Sequence, residues 1–192
     1  MAEFEAAYET TPPWDIGAPQ PAFALLAAEG RLRGRVLDVG CGTGEHALMA
    51  AEAGCEAVGI DIASTAIRLA EQKAAERGAS ARFVVGDARQ LEVLGEQFDA
   101  VLDCGLFHVF DDVDRARFVA SLSRAVRVGG HYFMLCFSEE EPGGWGPRRV
   151  TQGEIRAAFA HGWRVEAIEP ADIRVTIRAE PARSWFATLA RT

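Results

Sequence analysis

Short apolar runs recur along the chain, separated by longer segments whose apolar residues follow helical spacing. The five runs that we interpret as buried strands are RVLDV (35–39), EAVGI (56–60), ARFVV (81–85), FDAVLD (98–103) and HYFMLCF (131–137). The segments with helical spacing are 19–29, 45–53, 64–77, 112–127 and 152–160. Continuous apolar strands that alternate with helices are typical of a parallel sheet covered by helices on both faces.

The C-terminal part of the chain has a different pattern. Three strand-like segments follow the last helix, with no helix between them: WRVEAIEP, DIRVTIRA and SWFATLA. Consecutive strands without a crossover connection must pair antiparallel. We therefore expect an antiparallel edge on an otherwise parallel sheet.

Composition and charge narrow the range of partners. A chain of 192 residues is long enough for one domain with a well-filled core. The formal net charge is −8 and no run of Lys or Arg occurs, which argues against nucleic acid and against an anionic membrane surface. Small molecules are the expected ligands. The N-terminus lacks the basic and then apolar pattern of a signal peptide, so we expect a cytoplasmic protein.

Cysteines and histidines predict neither disulfides nor a metal site. The cysteines are widely spaced with no CxxC pair, as reduced core thiols would be, and the histidines show no ligand spacing. These residues are Cys41, Cys55, Cys104, Cys136, His46, His108, His131 and His161.

Glycines and acids follow the first three predicted strands. Gly40, Gly42 and Gly44 come directly after the first strand, Asp61 ends the second, and Asp87 follows the third. The dinucleotide fingerprint GxGxxG would require a third glycine where this chain has Glu45 or, counted from Gly42, Ala47. A P-loop would require a lysine after the glycines, and none follows them here. Ligands of parallel sheets bind outside the carboxyl ends of the strands, where Asp61 can accept hydrogen bonds from ribose hydroxyls.

Four stretches, VLDVGCGTG, GIDIA, GDARQL and FDAVLDCGLFHVF, resemble the motifs of class I S-adenosylmethionine-dependent methyltransferases. The resemblance implies an α/β, Rossmann-like fold with a seven-stranded, mostly parallel sheet, helices on both faces and an antiparallel C-terminal strand. It also implies S-adenosylmethionine as cofactor. Gly40 to Gly44 would pass under the methionine part, Asp61 would hold the ribose and Asp87 the adenine amine. The remaining implied cofactor contacts are Trp14, Asp38, Cys41, Ile62, Ala88 and Cys104.

Two further stretches narrow the type of acceptor. TPPWDIGAPQP (11–21) resembles the N-terminal box of the thiopurine and halide/thiol methyltransferases, and residues 138–159 are similar to the region after their fifth strand. The pattern is more similar to that of bacterial heterocyclic toxin methyltransferases, which implies detoxification by methylation of a hydroxyl on a planar heterocycle. Thiol or halide methylation is the alternative. The expected acceptor contacts are Asp15, Phe107, Trp145 and Arg148, although loop aromatics can equally be packing that closes a pocket.

His108, just past the fourth strand, is the predicted general base, with Asp103 fixing its tautomer. A His that only satisfies a loop carbonyl is the alternative. On fold alone, a nicotinamide-dependent dehydrogenase and a non-catalytic cofactor-binding module also remain open. Within one domain over 1–192 we expect four parts, namely an arm or lid (1–18), a cofactor-binding core (19–137), a substrate loop (138–149) and a C-terminal helix with antiparallel strands (150–192).

Overall fold

A computed structural model of the protein describes residues 2–192 and contains one mixed sheet. The strands are β1 (Arg35–Val39), β2 (Glu56–Asp61), β3 (Ala81–Val85), β4 (Phe98–Cys104), β5 (Val126–Phe137), β6 (Trp163–Ile173) and β7 (Ala182–Arg191). Their order is β3-β2-β1-β4-β5-β7-β6. The first five strands are parallel, and β7 pairs antiparallel with both β5 and β6. The predicted fold class is confirmed.

Helices cover both faces of this sheet. They are α1 (Ala2–Ala7), α2 (Pro21–Ala28), α3 (Glu45–Glu52), α4 (Ser64–Arg77), α5 (Asp112–Ala125) and α6 (Gln152–Ala158), with 3-10 turns at Ala88–Leu94 and Phe107–Val109. Tyr132 and Phe133, consecutive on β5, point to opposite faces. Tyr132 packs with Phe118 of α5 in one apolar cluster, and Phe133 belongs with Phe23 of α2 to the other.

One predicted C-terminal strand and one predicted boundary between a helix and a strand are wrong. The segment DIRVTIRA does not form its own strand, because its first two residues complete β6 and residues 174–181 form the loop to β7. This loop supplies the reversal that two long antiparallel strands require. In addition, α5 ends at Ala125 and β5 begins at Val126, earlier than predicted, because Val126 pairs with Phe98 of β4.

The predicted N-terminal arm or lid contains more regular structure in residues 2–18 than its polar sequence suggests. These residues include α1, and Tyr8 after this helix is 8% exposed. The Glu5 carboxylate accepts hydrogen bonds from the backbone N–H of Thr65 and from the hydroxyls of Ser64 and Thr65. Glu5 thereby caps the first turn of α4, an interaction between distant residues that a local pattern does not reveal.

No helix in residues 2–192 has the length and apolar character needed to cross a bilayer.

Candidate active site

The glycine loop after β1 adopts a conformation that side chains would obstruct. Gly40, Gly42 and Gly44 have φ values of 64°, 52° and 86°. A Cβ atom at Gly40 would lie 3.2 Å from the side chain of Leu106, and one at Gly44 would lie 2.8 Å from the ring of Phe83. The loop therefore combines left-handed backbone with close packing, a combination that glycine accommodates.

The first turn of α3, which follows this loop, offers free hydrogen-bond donors. Asp38 at the end of β1 accepts the backbone N–H of Ala47 at 3.1 Å. The N–H groups of Glu45 and His46 have no acceptor among residues 2–192. Free N–H groups at a helix N-terminus favour an anionic group. The turn therefore fits the carboxylate of the methionine part of S-adenosylmethionine.

Asp61 connects the end of β2 to the glycine loop. Its Oδ2 accepts the N–H of Gly42 at 2.8 Å and its Oδ1 accepts the N–H of Ala63 at 2.9 Å. Burial raises the pKa of Asp61 above its ordinary value, although these two hydrogen bonds act to lower the pKa. Each oxygen retains a second lone pair, so the carboxylate can also accept hydrogen bonds from a ribose.

Asp87, the predicted adenine contact, lies just after β3 and is already paired. Both of its oxygens accept hydrogen bonds from the Arg89 side chain, and Oδ1 also accepts the backbone N–H of Arg89. The hydrogen bonds from Arg89 lower the pKa of Asp87. Arg89 also pairs with Asp114. An adenine amine would have to share the Asp87 carboxylate with Arg89.

The arm covers the glycine loop. A Cβ atom at Gly42 would lie 2.8 Å from the Tyr8 hydroxyl, which accepts a hydrogen bond from Trp14 Nε1 at 3.1 Å. Asp15, the predicted acceptor contact, accepts a hydrogen bond from the Thr43 hydroxyl at 2.8 Å. The sequence pattern did not single out Tyr8 or Thr43, although Tyr8 is one of three aromatic residues, with Phe4 and Trp14, in a polar segment.

Asp103 does not pair with His108 as predicted. Its buried carboxylate accepts hydrogen bonds from the Tyr132 hydroxyl at 2.6 Å and from the backbone N–H groups of Leu106 and Phe107. Burial raises the pKa of Asp103 to about 7 despite these donors. The turn after β4 directs the carboxylate at its own backbone, so Asp103 shapes the turn that carries His108.

His108 is buried at 6% exposure, and its Nδ1 accepts the backbone N–H of Phe137 at 3.0 Å. Burial, together with the charges of Arg149 and Arg115, lowers the pKa of His108 to about 3. A neutral imidazole has one ring lone pair, and this hydrogen bond uses it, so Nε2 carries the proton. Nε2 faces Gly105, has no hydrogen-bond partner among residues 2–192, and is not sealed from solvent. The geometry makes His108 a donor and conflicts with the predicted general base.

Trp145 and Phe137 form an aromatic wall next to His108, in which Trp145 is half-buried and Phe137 is 3% exposed. The rings of Trp145 and Phe137 meet edge to face at 5.1 Å, and Phe137 meets the His108 ring at the same distance. The Arg149 guanidinium lies 5.3 Å from the Phe137 ring centroid and donates to the carbonyls of Trp145 and Pro147. Sequence reasoning chose its neighbour Arg148 and missed Arg149.

Two predicted acceptor contacts have other partners. Phe107 is 0% exposed, under Arg115 at 4.4 Å and stacked on Phe159, so it belongs to the core in this conformation. Arg148 forms ion pairs with Asp112 and Glu154, which connect α5 to α6.

The remaining predicted cofactor residues border the same edge of the sheet. Cys41 lies in the glycine loop and is buried, Ile62 follows Asp61, Ala88 follows Asp87, and Cys104 ends β4 half-buried. The structure thus gathers the predicted cofactor residues along the carboxyl ends of β1 to β4.

Known proteins share this fold and these motifs. A family model described as a methyltransferase domain matches residues 36–130. The chain is 39% identical over 163 residues to the 2-heptyl-1-hydroxyquinolin-4(1H)-one methyltransferase of Mycobacteroides abscessus, a match that covers 83% of this chain and 72% of the relative. It is 31% identical to the protein named "Probable thiol methyltransferase 2" of Arabidopsis thaliana, over 74% of this chain and 64% of that protein.

A solved structure described as "Conversion of a Disulfide Bond into a Thioacetal Group during Echinomycin Biosynthesis" superposes with a TM-score of 0.90. It is 35% identical, and the match covers 99% of this chain and 92% of the other. Together with the glycine loop and Asp61, these relationships show that the chain belongs to the S-adenosylmethionine-dependent methyltransferases.

Proposed function

We propose that this methyltransferase transfers a methyl group to a hydroxyl on a small planar heterocycle such as a hydroxyquinolone. The observation that carries the proposal is the row of three rings formed by His108, Phe137 and Trp145. Aromatic walls of this kind bind planar ligands, and a polar atom within them fixes orientation. The relative from M. abscessus, which is named for a hydroxyquinolone, supports the same class of acceptor.

When bound, S-adenosylmethionine supplies a methyl group that its sulfonium has already activated. The protein's task is then to align the acceptor oxygen with that methyl group and to exclude water. We assign alignment to the Trp145 and Phe137 wall, and closure to Tyr8 and Trp14 of the arm. Asp61 and the first turn of α3 would orient the cofactor from the sheet side of the site.

In this proposal, His108 acts on the acceptor as a donor. The Nε2–H group would donate a hydrogen bond to the acceptor oxygen and orient it, while Phe137 holds the ring through Nδ1. A donor suits an acceptor that reaches the site already ionised, because hydrogen bonds to charged groups are stronger than neutral ones. The acceptor proton would leave to solvent before binding, so acidic hydroxyls should be the better substrates.

Thiol methylation is the second candidate. It is favoured by the plant thiol methyltransferase relative and by the 35% identical structure described for disulfide chemistry. Thiols with a pKa near 8.5 are partly ionised at neutral pH, so they fit a site without a base as well.

A screen of acceptors with radiolabelled S-adenosylmethionine tests the proposal. The panel pairs hydroxyquinolones with their thione analogues, with simple phenols and thiols, and with halide ions. We expect the highest kcat/KM for the hydroxyquinolones. Preferential turnover of the thiones would establish the second candidate instead, and no turnover of any acceptor would reject both.

A further inference from the structure

A buried carboxylate organises the segment that carries Trp145. The Glu141 side chain is 1% exposed. Its Oε1 accepts Trp145 Nε1 at 3.0 Å and Arg178 Nη2 at 2.9 Å, and its Oε2 accepts the backbone N–H of Arg183 at 2.7 Å. Burial raises the pKa of Glu141, but these hydrogen bonds outweigh it and lower the pKa below its ordinary value. Glu141 is therefore an ionised anchor with several donors.

Arg178 holds Trp145 a second time, through its ring. The guanidinium carbon of Arg178 lies 4.2 Å from the ring centroid of Trp145, within the range of a cation–π interaction. Since Arg178 also pairs with Glu141, the indole is fixed at its ring face and at its N–H by one connected group.

The loop of residues 174–181, which contributes Arg178, also holds the arm. The backbone N–H of Thr176 donates to the carbonyl of Pro13 at 2.9 Å. At the start of the same loop, the side chain of Gln20 exchanges two hydrogen bonds of 2.9 Å with the backbone of Arg174. We call residues 174–181 the latch, because this segment contacts both the arm and the Trp145 wall.

We propose that the latch positions the Trp145 wall and the arm relative to each other. Arg178 is the positioning residue for Trp145, and Thr176 is the residue that holds the arm. This inference rests on the proposed function, because it assumes that Trp145 faces the acceptor. Its consequence is that disturbing Arg178 changes acceptor binding and also loosens the arm, although within residues 2–192 Arg178 forms no hydrogen bond or ion pair with the glycine loop or Asp61.

The test compares Arg178→Ala and Arg178→Lys with the control Arg183→Ala, which retains the backbone N–H that donates to Glu141. With a hydroxyquinolone acceptor, we expect Arg178→Ala to raise KM about tenfold at nearly constant kcat, and Arg178→Lys to recover part of the loss. In the double variant, adding Arg178→Ala to Trp145→Ala should raise KM little further. Equal and additive losses would overturn the role of Arg178.

Amide hydrogen exchange of residues 8–16, measured with saturating S-adenosylhomocysteine, tests the tie to the arm. We expect faster exchange in Arg178→Ala than in wild type and in Arg183→Ala. A raised KM with unchanged exchange would overturn joint positioning. The exchange measurement needs no acceptor. If wild type were inactive on every acceptor, the proposed function would be rejected, and the exchange rates of residues 8–16 would still test the role of the latch.

Discussion

The Nδ1 atom of His108 accepts the backbone N–H of Phe137 at 3.0 Å, a hydrogen bond between residues 29 positions apart. This bond fixes the tautomer of the imidazole at the aromatic wall. It also commits the ring lone pair, so the bond decides which chemistry His108 can perform.

Variants of His108 should distinguish a donor from a base. Since burial lowers its pKa to about 3, His108 stays neutral over the ordinary assay range and should give no inflection near pH 6.5. Glutamine can both donate and accept, so His108→Gln should retain most activity. Phenylalanine removes the donor, and His108→Phe should cost roughly 10 to 100-fold, the loss of a hydrogen bond to a charged group.

The measurement is kcat/KM against pH for hydroxylated heterocycles of graded acidity. For a donor, the loss in His108→Phe should be similar across the series. An inflection near pH 6.5 that His108→Gln abolishes, with a loss that grows with acceptor pKa, would restore the general base.

Asp61→Asn should weaken the binding of S-adenosylhomocysteine at least tenfold in calorimetry. The amide cannot accept from both Gly42 and Ala63, and it offers a weaker acceptor to the ribose, where a carboxylate contact contributes roughly 1.5–3 kcal/mol. Glu56→Gln, an exposed change at the other end of β2, is the control. Unchanged affinity in Asp61→Asn would remove the ribose assignment.

Tyr8→Phe should weaken cofactor binding and leave the melting temperature within a few degrees. The substitution keeps the ring that packs on Ala63 and Ala66, but removes the hydroxyl above Gly42 that accepts from Trp14. Proteolysis near Thr10 should be suppressed by S-adenosylhomocysteine in wild type and less so in Tyr8→Phe. Glu9→Gln, an exposed change in the arm, is the control, and equal cleavage with and without cofactor would count against a lid.

His46 should make stability depend on pH in a defined direction. Burial lowers its pKa to about 4, and its Nε2 accepts the backbone N–H of Gln20. The unfolded chain protonates His46 below about pH 6.5, so the native state binds fewer protons, and stability is lost as the pH falls from 6.5 towards 4.

The measurement is urea unfolding of wild type and of His46→Gln, which keeps an acceptor but does not titrate. The stability advantage of wild type should shrink by about 2 kcal/mol between pH 7 and pH 5. Comparing the two proteins removes the opposing effect of Asp103, whose raised pKa acts in the other direction. A constant difference between the two proteins would show that His46 is not buried in its neutral form.

The sequence by itself determined the parallel sheet and the placement of the cofactor residues. Apolar runs and helical spacing are local periodicities, and Gly40, Gly42 and Gly44 reflect the local demand for left-handed backbone. Asp61 ends β2 and Asp87 follows shortly after β3, its parallel neighbour, so their meeting at one edge follows from topology alone.

Only the tertiary structure decided the chemistry of the acceptor side. Asp103 is hydrogen-bonded to Tyr132, His108 to the backbone of Phe137, and Glu141 is ion-paired with Arg178. These partners lie 29 to 37 positions away along the chain. Phe107 and His108 are neighbours in sequence, yet a 3-10 turn buries one in the core and holds the other at the wall. Burial also set the pKa values of Asp103 and His108, and burial is a property of the packed fold that no local pattern contains.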